Sequence, residues 1–565
     1  GNAGLIDLNL VQQQKVLRAS AGVSNMNDYG LFMLTASPRQ GQTLEELKAL
    51  LLGEIDKLKN GEFDEWLLEA IINQRKLSQI RSIENNSAGY EFVNQFITGR
   101  TRQQMLEYND KLEKITKQMI VDFANKFFTD NYVVVYKRNG ANDNVYHVEK
   151  PPITPLTINR NAESKYVTAL KNMKTAEIKP AFVDYKTALK TEKLGGVEFT
   201  HMKNETNEIF SLYYTLEMGR LQDNWLPVAI SYLEFLGTSD KSAADLKKEW
   251  YRLGLSFGVS AGEDRVYVYL TGLDKNLEEG IALLEKVMAD ARVDEKAYKN
   301  YIDDIMKKRR DAKLNKNMIL QSRMVNYSKY GKFNPATDIL SESELRAKNP
   351  SELVNMLHGI LQYKHSIFYY GPRDKEAVAG LIKKYHTTDA AFKEIPQPKT
   401  YLEKNYDKPK VYFVNYDMVQ SLVMLVSKDV MFDAKDLPVI TMFNEYYGGS
   451  MSSIVFQEIR ESKGLAYSSS AGYRTSNETG KSNYVTGYLS TQPDKLAEAL
   501  SALTGLLNEL ALSEPSFATS REAVIKQINS ERIIKSDVYW SWQALKEMGI
   551  DYDYRKTVYE KVQNY

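Results

Sequence analysis

Two periods alternate along this chain. Runs in which apolar residues return every three or four positions, LEELKALLLGEIDKLKNG (44–61) and KLAEALSALTGLLNEL (495–510), predict amphipathic helices. Runs of strict alternation, YGLFMLTAS (29–37) and SNYVTGYLST (482–491), predict strands with one buried face. Each helix follows its strand after a short turn, and each strand follows a similar unit: LNLVQQQKVLRASAGVS near the start, IVFQEIRESKGLAYSSSAGYR in the last third. Ser20-Ala21-Gly22 and Ser470-Ala471-Gly472 mark the same step in both, so the chain contains an internal repeat.

A closing unit, helix then edge-like strand, also recurs, in KITKQMIVDFANKFFTDNYVVVYKRNG (114–140) and KNPSELVNMLHGILQYKHSIFYYGPRD (348–374). Residue 1 falls where the last copy is already past a strand and the helix PVITMFNEYYGG, and YRKTVYEKVQNY stops where the first copy continues from YNDKLEKIT, so the pattern predicts a fragment cut at both ends. Pro151, Pro152 and Pro155 predict an extended connector followed by a short helix. Between the repeats, GGVEFTHMKN and IFSLYYTLEMG predict a hairpin, DNWLPVAISYLEFLG a helix, and SFGVSAGEDRVYVYLTGL a second hairpin, with Ser242 capping AADLKKEWYRLG. Strands arriving in antiparallel groups with helices after them predict an α+β fold of repeated two-layer domains, each a mainly antiparallel sheet with helices on one face. The expected divisions are 1–140, a connector 141–189, 190–395 and 396–565.

One corner carries candidate chemistry. Ile454, Phe456 and Ile459 have helical spacing, Arg460 falls in the last turn, and Gly464 stands where a left-handed cap residue belongs. Leu465, Tyr467, Ser469 and Ala471 then share one face of an alternating run. The corner thus sets a guanidinium beside a phenol. A last-turn arginine also complements the helix dipole, and a strand-opening tyrosine is ordinary packing, so the pair alone leaves both uses open. In the first copy the matching positions are uncharged, around Leu10 or Gln12 and Leu17 or Ala19 depending on the gap. Glu461 and Ser469 are too generic to single out.

Composition narrows the classes. Lys plus Arg is 74, Asp plus Glu is 73 and the net charge is +1, which supplies no field for nucleic acid. There is no cysteine, so disulfides and thiolate metal sites are excluded, and cytosol and periplasm are both compatible. No apolar run approaches the roughly 20 residues a spanning helix needs, and GNAGLIDLNL has no signal-peptide pattern. None of His147, His201, His358, His365 and His386 has the i, i+4 histidine partner of a helical zinc motif. His201 and Glu205 predict a surface pair, and His358 and His365 core or surface histidines without a nearby acid. Gly195-Gly196 and Gly448-Gly449 lack the Lys-Ser/Thr of a phosphate loop and predict turns, the second a break between two helices.

The run GGSMSSIVFQEIRESKGLAYSSSAGYR resembles the last-domain signature of the pitrilysin/insulinase-type zinc metallopeptidases, whose zinc motif is the inverted H-x-x-E-H. LPVAISYLEFLGTSDKSAADLKKEWYRLG resembles the zinc-helix region of the half that has lost its metal, and 1–140 the end of the first half. Where the active half has H-x-x-E-H, this chain has Ser231-Tyr232-Leu233-Glu234-Phe235, and a lone Glu234 is an ordinary solvated carboxylate. The resemblance implies a two-halved peptidase enclosing peptides or small proteins, with zinc and a general-base glutamate in an upstream domain or subunit and no metal in this chain. It also implies that Arg460 and Tyr467 donate to the substrate carbonyl and its oxyanion, and that exposed strand edges pair with extended peptide. The competing expectation is a non-catalytic relative, a scaffold or the inactive partner of a separate zinc-bearing subunit.

Overall fold

The computed structural model describes residues 3–84, 88–140, 164–174, 176–389, 391–476 and 478–565. The fold is α+β, and among these residues the strands form three sheets. β1 (Arg18–Asn25) and β2 (Gly30–Ser37) make an antiparallel hairpin. β3 (Lys190–Leu194), β4 (Val197–Lys203), β5 (Ile209–Leu216), β6 (Leu255–Ala261), β7 (Val266–Leu273) and β8 (Ser366–Gly371) form a six-stranded sheet in the order β3-β4-β8-β5-β7-β6. β9 (Ser421–Met431), β10 (Ser468–Arg474) and β11 (Ser482–Thr491) form the third, in the order β10-β11-β9.

The middle sheet holds the largest core. β5 and β7 alternate buried and half-buried positions, and their inward residues Leu212, Tyr214, Val268 and Leu270 are fully buried with Ile281, Leu284 and Leu353 from the helices Leu277–Asp290 and Pro350–Gly359. Each such side chain contributes roughly 1.5–3 kcal/mol by leaving water. β8 is buried nearly along its whole length because its other face is covered too. There Phe368 stacks on Tyr539 with ring centroids 3.8 Å apart, and Trp540 meets Tyr213 edge-on at 4.8 Å, both from the helix Asp537–Glu547.

The expected hairpin of β4 and β5 does not form. β8 lies between them, parallel to β4 and antiparallel to β5. A period of two reports which face a strand buries and says nothing of its neighbour. The tight hairpin is instead β3–β4, closed at Gly195-Gly196, where Gly195 has φ +59° and a side chain would collide with Asp389 and the Thr388 carbonyl. The edge strand expected in 114–140 is also absent. The helix forms as Lys117–Phe127, but 131–138 is extended without ladder partners, and Val133 and Val135 are 89% and 87% exposed. Its counterpart β8 is a strand only because β4 and β5 flank it, and nothing equivalent flanks 131–138 among the described residues. The connector prolines lie outside the described residues, and the short helix after them is Lys165–Lys171.

The first hairpin docks on the middle unit through polar groups. Arg39 donates to Asp304 Oδ1 at 3.0 Å, to the Asn300 carbonyl at 2.8 Å and to the Gln14 carbonyl at 2.5 Å. Gln14 in turn donates to the Ala297 carbonyl and accepts from Asn300. The last unit is tied to residues 181–183 by a buried ion pair, Arg555 with Asp553, in which Asp553 accepts the Val183 amide at 2.9 Å and Arg555 donates to the Ala181 carbonyl at 3.2 Å. Burial works against the Asp553 charge, but the guanidinium and the amide outweigh it and hold its carboxyl below the usual carboxylate range.

Removing the carboxylate by Asp553→Ala strands Arg555 in the core, with an expected loss of about 3–5 kcal/mol in urea unfolding. Because the folded carboxyl is depressed, its contribution is present above the ordinary carboxylate range and is lost as pH falls through the folded value. Wild-type stability should therefore decline on acidification more steeply than that of the variant; an equal slope contradicts this.

Candidate functional site

The helix Leu437–Tyr447 ends at Gly448, whose backbone lies so close to β10 that a Cβ would overlap the Ala471 carbonyl. The Gly448-Gly449 pair is required by this close approach, a stronger demand than a break between helices. After the Ser450–Ser453 turn, the expected helix takes π geometry over Phe456–Ser462. Val455 and Ile459 on its inner side are fully buried against Leu465, Ala499 and Leu503. The π turn widens the spiral, and Arg460 is set on the outer side, its side chain 42% exposed.

Gly464 then turns left-handed at φ +57°, and the chain enters β10. The Tyr467 amide donates to the Ser490 carbonyl at 2.9 Å, Thr491 Oγ1 to the Leu465 carbonyl at 2.5 Å and Lys495 Nζ to the Gly464 carbonyl at 3.0 Å. The first copy repeats the corner with one residue fewer ahead of the left-handed position. Gln14, at φ +51°, stands where Gly464 does, and the Leu17 amide donates to the Ser37 carbonyl at 3.0 Å as Tyr467 does to Ser490. A π turn, Asp7–Val11, precedes it. Leu17 thus stands where Tyr467 does. The Lys15 amide donates to the Leu10 carbonyl at 2.8 Å as the Leu465 amide donates to the Ile459 carbonyl at 3.0 Å, so Leu10, buried with Val16 and Leu47, matches the buried Ile459, and Arg460 matches the uncharged Val11.

The structure brings Arg460 and Tyr467 together. The guanidinium carbon lies 5.6 Å from the Tyr467 ring centre and 4.9 Å from that of Phe456. Phe456 is a contact the sequence reading passed over, although its i, i+4 spacing to Arg460 on a helix signals it. Among the described residues, the acid within 4 Å of the guanidinium is Glu461, at 3.6 Å, beyond hydrogen-bond length. The pair faces solvent: Tyr467 is 73% exposed. An open hollow of about 620 Å³ lies instead at the first copy's corner, beside Leu10, Lys15, Glu46 and Lys57. The corner offers several N–H groups and a hydroxyl to an acceptor approaching from solvent.

Donor chemistry does not suit a zinc ion here. Among the described residues no three His, Asp or Glu side chains converge as a metal would need. His201 is buried, stacked on Tyr369 at 5.5 Å with Nε2 against the Arg373 carbonyl at 2.9 Å, so the expected surface pair with Glu205 is not formed. Burial lowers its pKa, against the pull of that carbonyl. His358 Nε2 meets the Ala291 carbonyl at 3.0 Å, and His147 lies outside the described residues. His365 does have an acid within reach, through His386 to Glu285. At the positions of the inverted motif, Tyr232 is buried with its hydroxyl on the Asp294 carbonyl at 2.6 Å, Phe235 packs on Tyr301, and Glu234 is exposed.

Comparisons agree with this architecture. Residues 366–521, which include Arg460 and Tyr467, match the family model described as the peptidase M16 inactive domain. A protein of Bacillus subtilis (strain 168) named as an uncharacterized zinc protease, YmxG, is 24% identical over 331 residues, 57% of this chain and 75% of that protein. In fold, the chain is similar to the periplasmic protease PqqL from Escherichia coli, with a TM-score of 0.53 and 11% identity over 99% of this chain and 65% of that one. It is similar also to the ferredoxin protease FusC in complex with Arabidopsis ferredoxin, with a TM-score of 0.56 and 10% identity over 100% of this chain and 65% of that one. The chain spans about two thirds of the length of both. In its repeated α+β architecture, in the matched segment that holds the corner motif and in relatives named as zinc proteases, the chain is similar to the pitrilysin/insulinase-type zinc metallopeptidases, the M16 peptidases.

Proposed function

We propose that this chain is the part of a zinc-dependent peptidase that holds no metal, supplying wall, substrate contacts and two hydrogen-bond donors to the scissile carbonyl. The observation that carries it is the guanidinium of Arg460 set 5.6 Å from the Tyr467 ring, with both side chains exposed, at a corner whose first copy folds with the uncharged Val11 and Leu17 at the matching positions. The fold does not need the polar pair. Hydrolysis of an amide passes through a tetrahedral centre whose oxygen becomes anionic, and a donor already aimed at it supplies about 2.7–4 kcal/mol in a water-poor site. The exposure of Tyr467 means that a second body, the zinc-bearing domain or subunit, has to cover the corner before those donors reach that strength. Peptides or small proteins are the substrates in this reading, and the protein substrate named for the ferredoxin protease supports it.

A match to a family segment described as inactive favours a second reading, in which the chain is a scaffold or the silent partner of a separate zinc-bearing peptidase.

Two measurements decide. The purified chain should carry no stoichiometric zinc by mass spectrometry of metals and cleave no peptide alone, and peptidase activity sensitive to chelators should appear when a zinc-bearing half is supplied; zinc bound tightly by the chain itself contradicts the reading. In that assembly Tyr467→Phe should lower kcat by about 10²-fold or more with little change in KM. Unchanged turnover would transfer the chain to the scaffold reading.

A further inference from the structure

His365 stands just before β8, and His386 caps the helix Lys375–Tyr385; the fold buries both rings together in the middle unit, away from the Arg460 corner. Four contacts join them to their surroundings. His365 Nδ1 lies 2.7 Å from the Tyr363 carbonyl oxygen, His365 Nε2 lies 2.9 Å from His386 Nε2, His386 Nδ1 lies 2.9 Å from Glu285 Oε1, and the Tyr214 hydroxyl donates to the same Oε1 at 3.0 Å.

Counting hydrogens fixes the protonation. A carbonyl only accepts, so His365 carries hydrogen on Nδ1. Two facing ring nitrogens at 2.9 Å need one hydrogen between them, because two lone pairs repel and two N–H groups clash. The contact of His386 with Glu285 needs a third. Two neutral imidazoles and an ionised carboxylate hold only two, so the trio retains one proton more. Tyr214, already donating to Oε1, favours the carboxylate form, which places the extra proton on His386 as an imidazolium. The trio is then neutral as a whole, which is what its burial requires.

We propose that His365, His386 and Glu285 form a proton-operated latch, closed while they share three protons and opened by a fourth, which fastens the start of β8 to the helices Leu277–Asp290 and Lys375–Tyr385. A fourth proton on His365 Nε2 meets the N–H of His386 and leaves a net charge in the core. Burial resists that charge and pushes the His365 imidazole down to about 4, with the His386 charge acting the same way and the Tyr363 carbonyl opposing. The other groups on the packed elements do not relieve it. Tyr214 on β5 faces His386 at 4.9 Å and Phe392 faces His365 at 5.0 Å. On the two helices Lys384 and Tyr385 pair with Glu278, and Lys393 lies over the Tyr363 ring at 5.6 Å.

The sign follows. A depressed imidazole stays neutral in the folded chain while the unfolded chain takes up the proton near pH 6.5, so the His365 contribution is fully present above about 6.5 and is lost as pH falls toward 4. Across that window the unfolding equilibrium of the middle sheet shifts by about 10²-fold through this group. This inference is independent of the proposed peptidase role.

Nitrogen-15 NMR of the intact chain, labelled at histidine and assigned with single His→Gln variants, reads the protons directly. At pH 7.5 His365 should be a neutral ring carrying its hydrogen on Nδ1, with a hydrogen shared between its Nε2 and that of His386; the other tautomer of His365, or no shared hydrogen, overturns the latch. Hydrogen exchange of the wild-type chain should show β8 and the helix 375–385 losing protection between pH 6.5 and 4.5 beyond the intrinsic pH effect, and Glu285→Gln should shift that loss. Protection that is flat across the window overturns the proposal even if the variant fails to fold.

Discussion

A single left-handed residue governs the functional corner. At Gly464 the backbone turns at φ +57° and passes from a π turn into β10, and the next two residues, Leu465 and Ala466, are driven into the core. With those apolar residues inside and the Tyr467 amide bound to Ser490, the outer positions have no freedom left. Arg460 and Tyr467 must stand outside and side by side. Ramachandran sterics make this position natural for glycine, and the first copy shows what another residue needs there. Gln14 takes the same conformation at φ +51°, with its side chain and carbonyl held by Ala297, Asn300 and Arg39 of neighbouring elements. The same corner therefore does two jobs: in one copy it docks a hairpin on the middle unit, and in the other it presents donors to solvent.

Much of this was legible because it is written in local period and local sterics. β2 and β11 begin and end within a residue of the alternating runs that predict them, and Gly464 is left-handed as its place after a helix predicts. Pairing was not legible. The runs of β4 and β5 were read correctly as strands, yet their separation by β8, some 150 residues later in the chain, depends on contacts that periodicity does not encode. The strand expected within 114–140 failed for the same reason, since a ladder belongs to two segments and 131–138 has no second one among the described residues. The π geometry of Phe456–Ser462 was hidden too, because apolar spacing of three and four residues fits a wider turn as well as an α-helix.

At the candidate site the sequence reached the two donors and missed their supports. Phe456, Gly448 and the Ser490 carbonyl act through proximity across the fold, and only Phe456 left a local signal. The histidines show the reverse error. Read singly, His201 and His365 have no partners nearby in sequence, while the folded sheet stacks one on Tyr369 and links the other through His386 to Glu285. Chemistry assembled from residues far apart in sequence is visible only once the sheet order is known.

The central claim is that Arg460 and Tyr467 bind charge that develops on a peptide carbonyl, which differs from simply binding a peptide. The most direct measurement compares, in the zinc-containing assembly, the affinity of a tetrahedral phosphinate peptide with that of the matching uncleaved amide, for the wild type and for Arg460→Met. The account predicts that the variant loses about 10²-fold in affinity for the phosphinate and little for the amide. Equal losses for both ligands, or none for either, would contradict it.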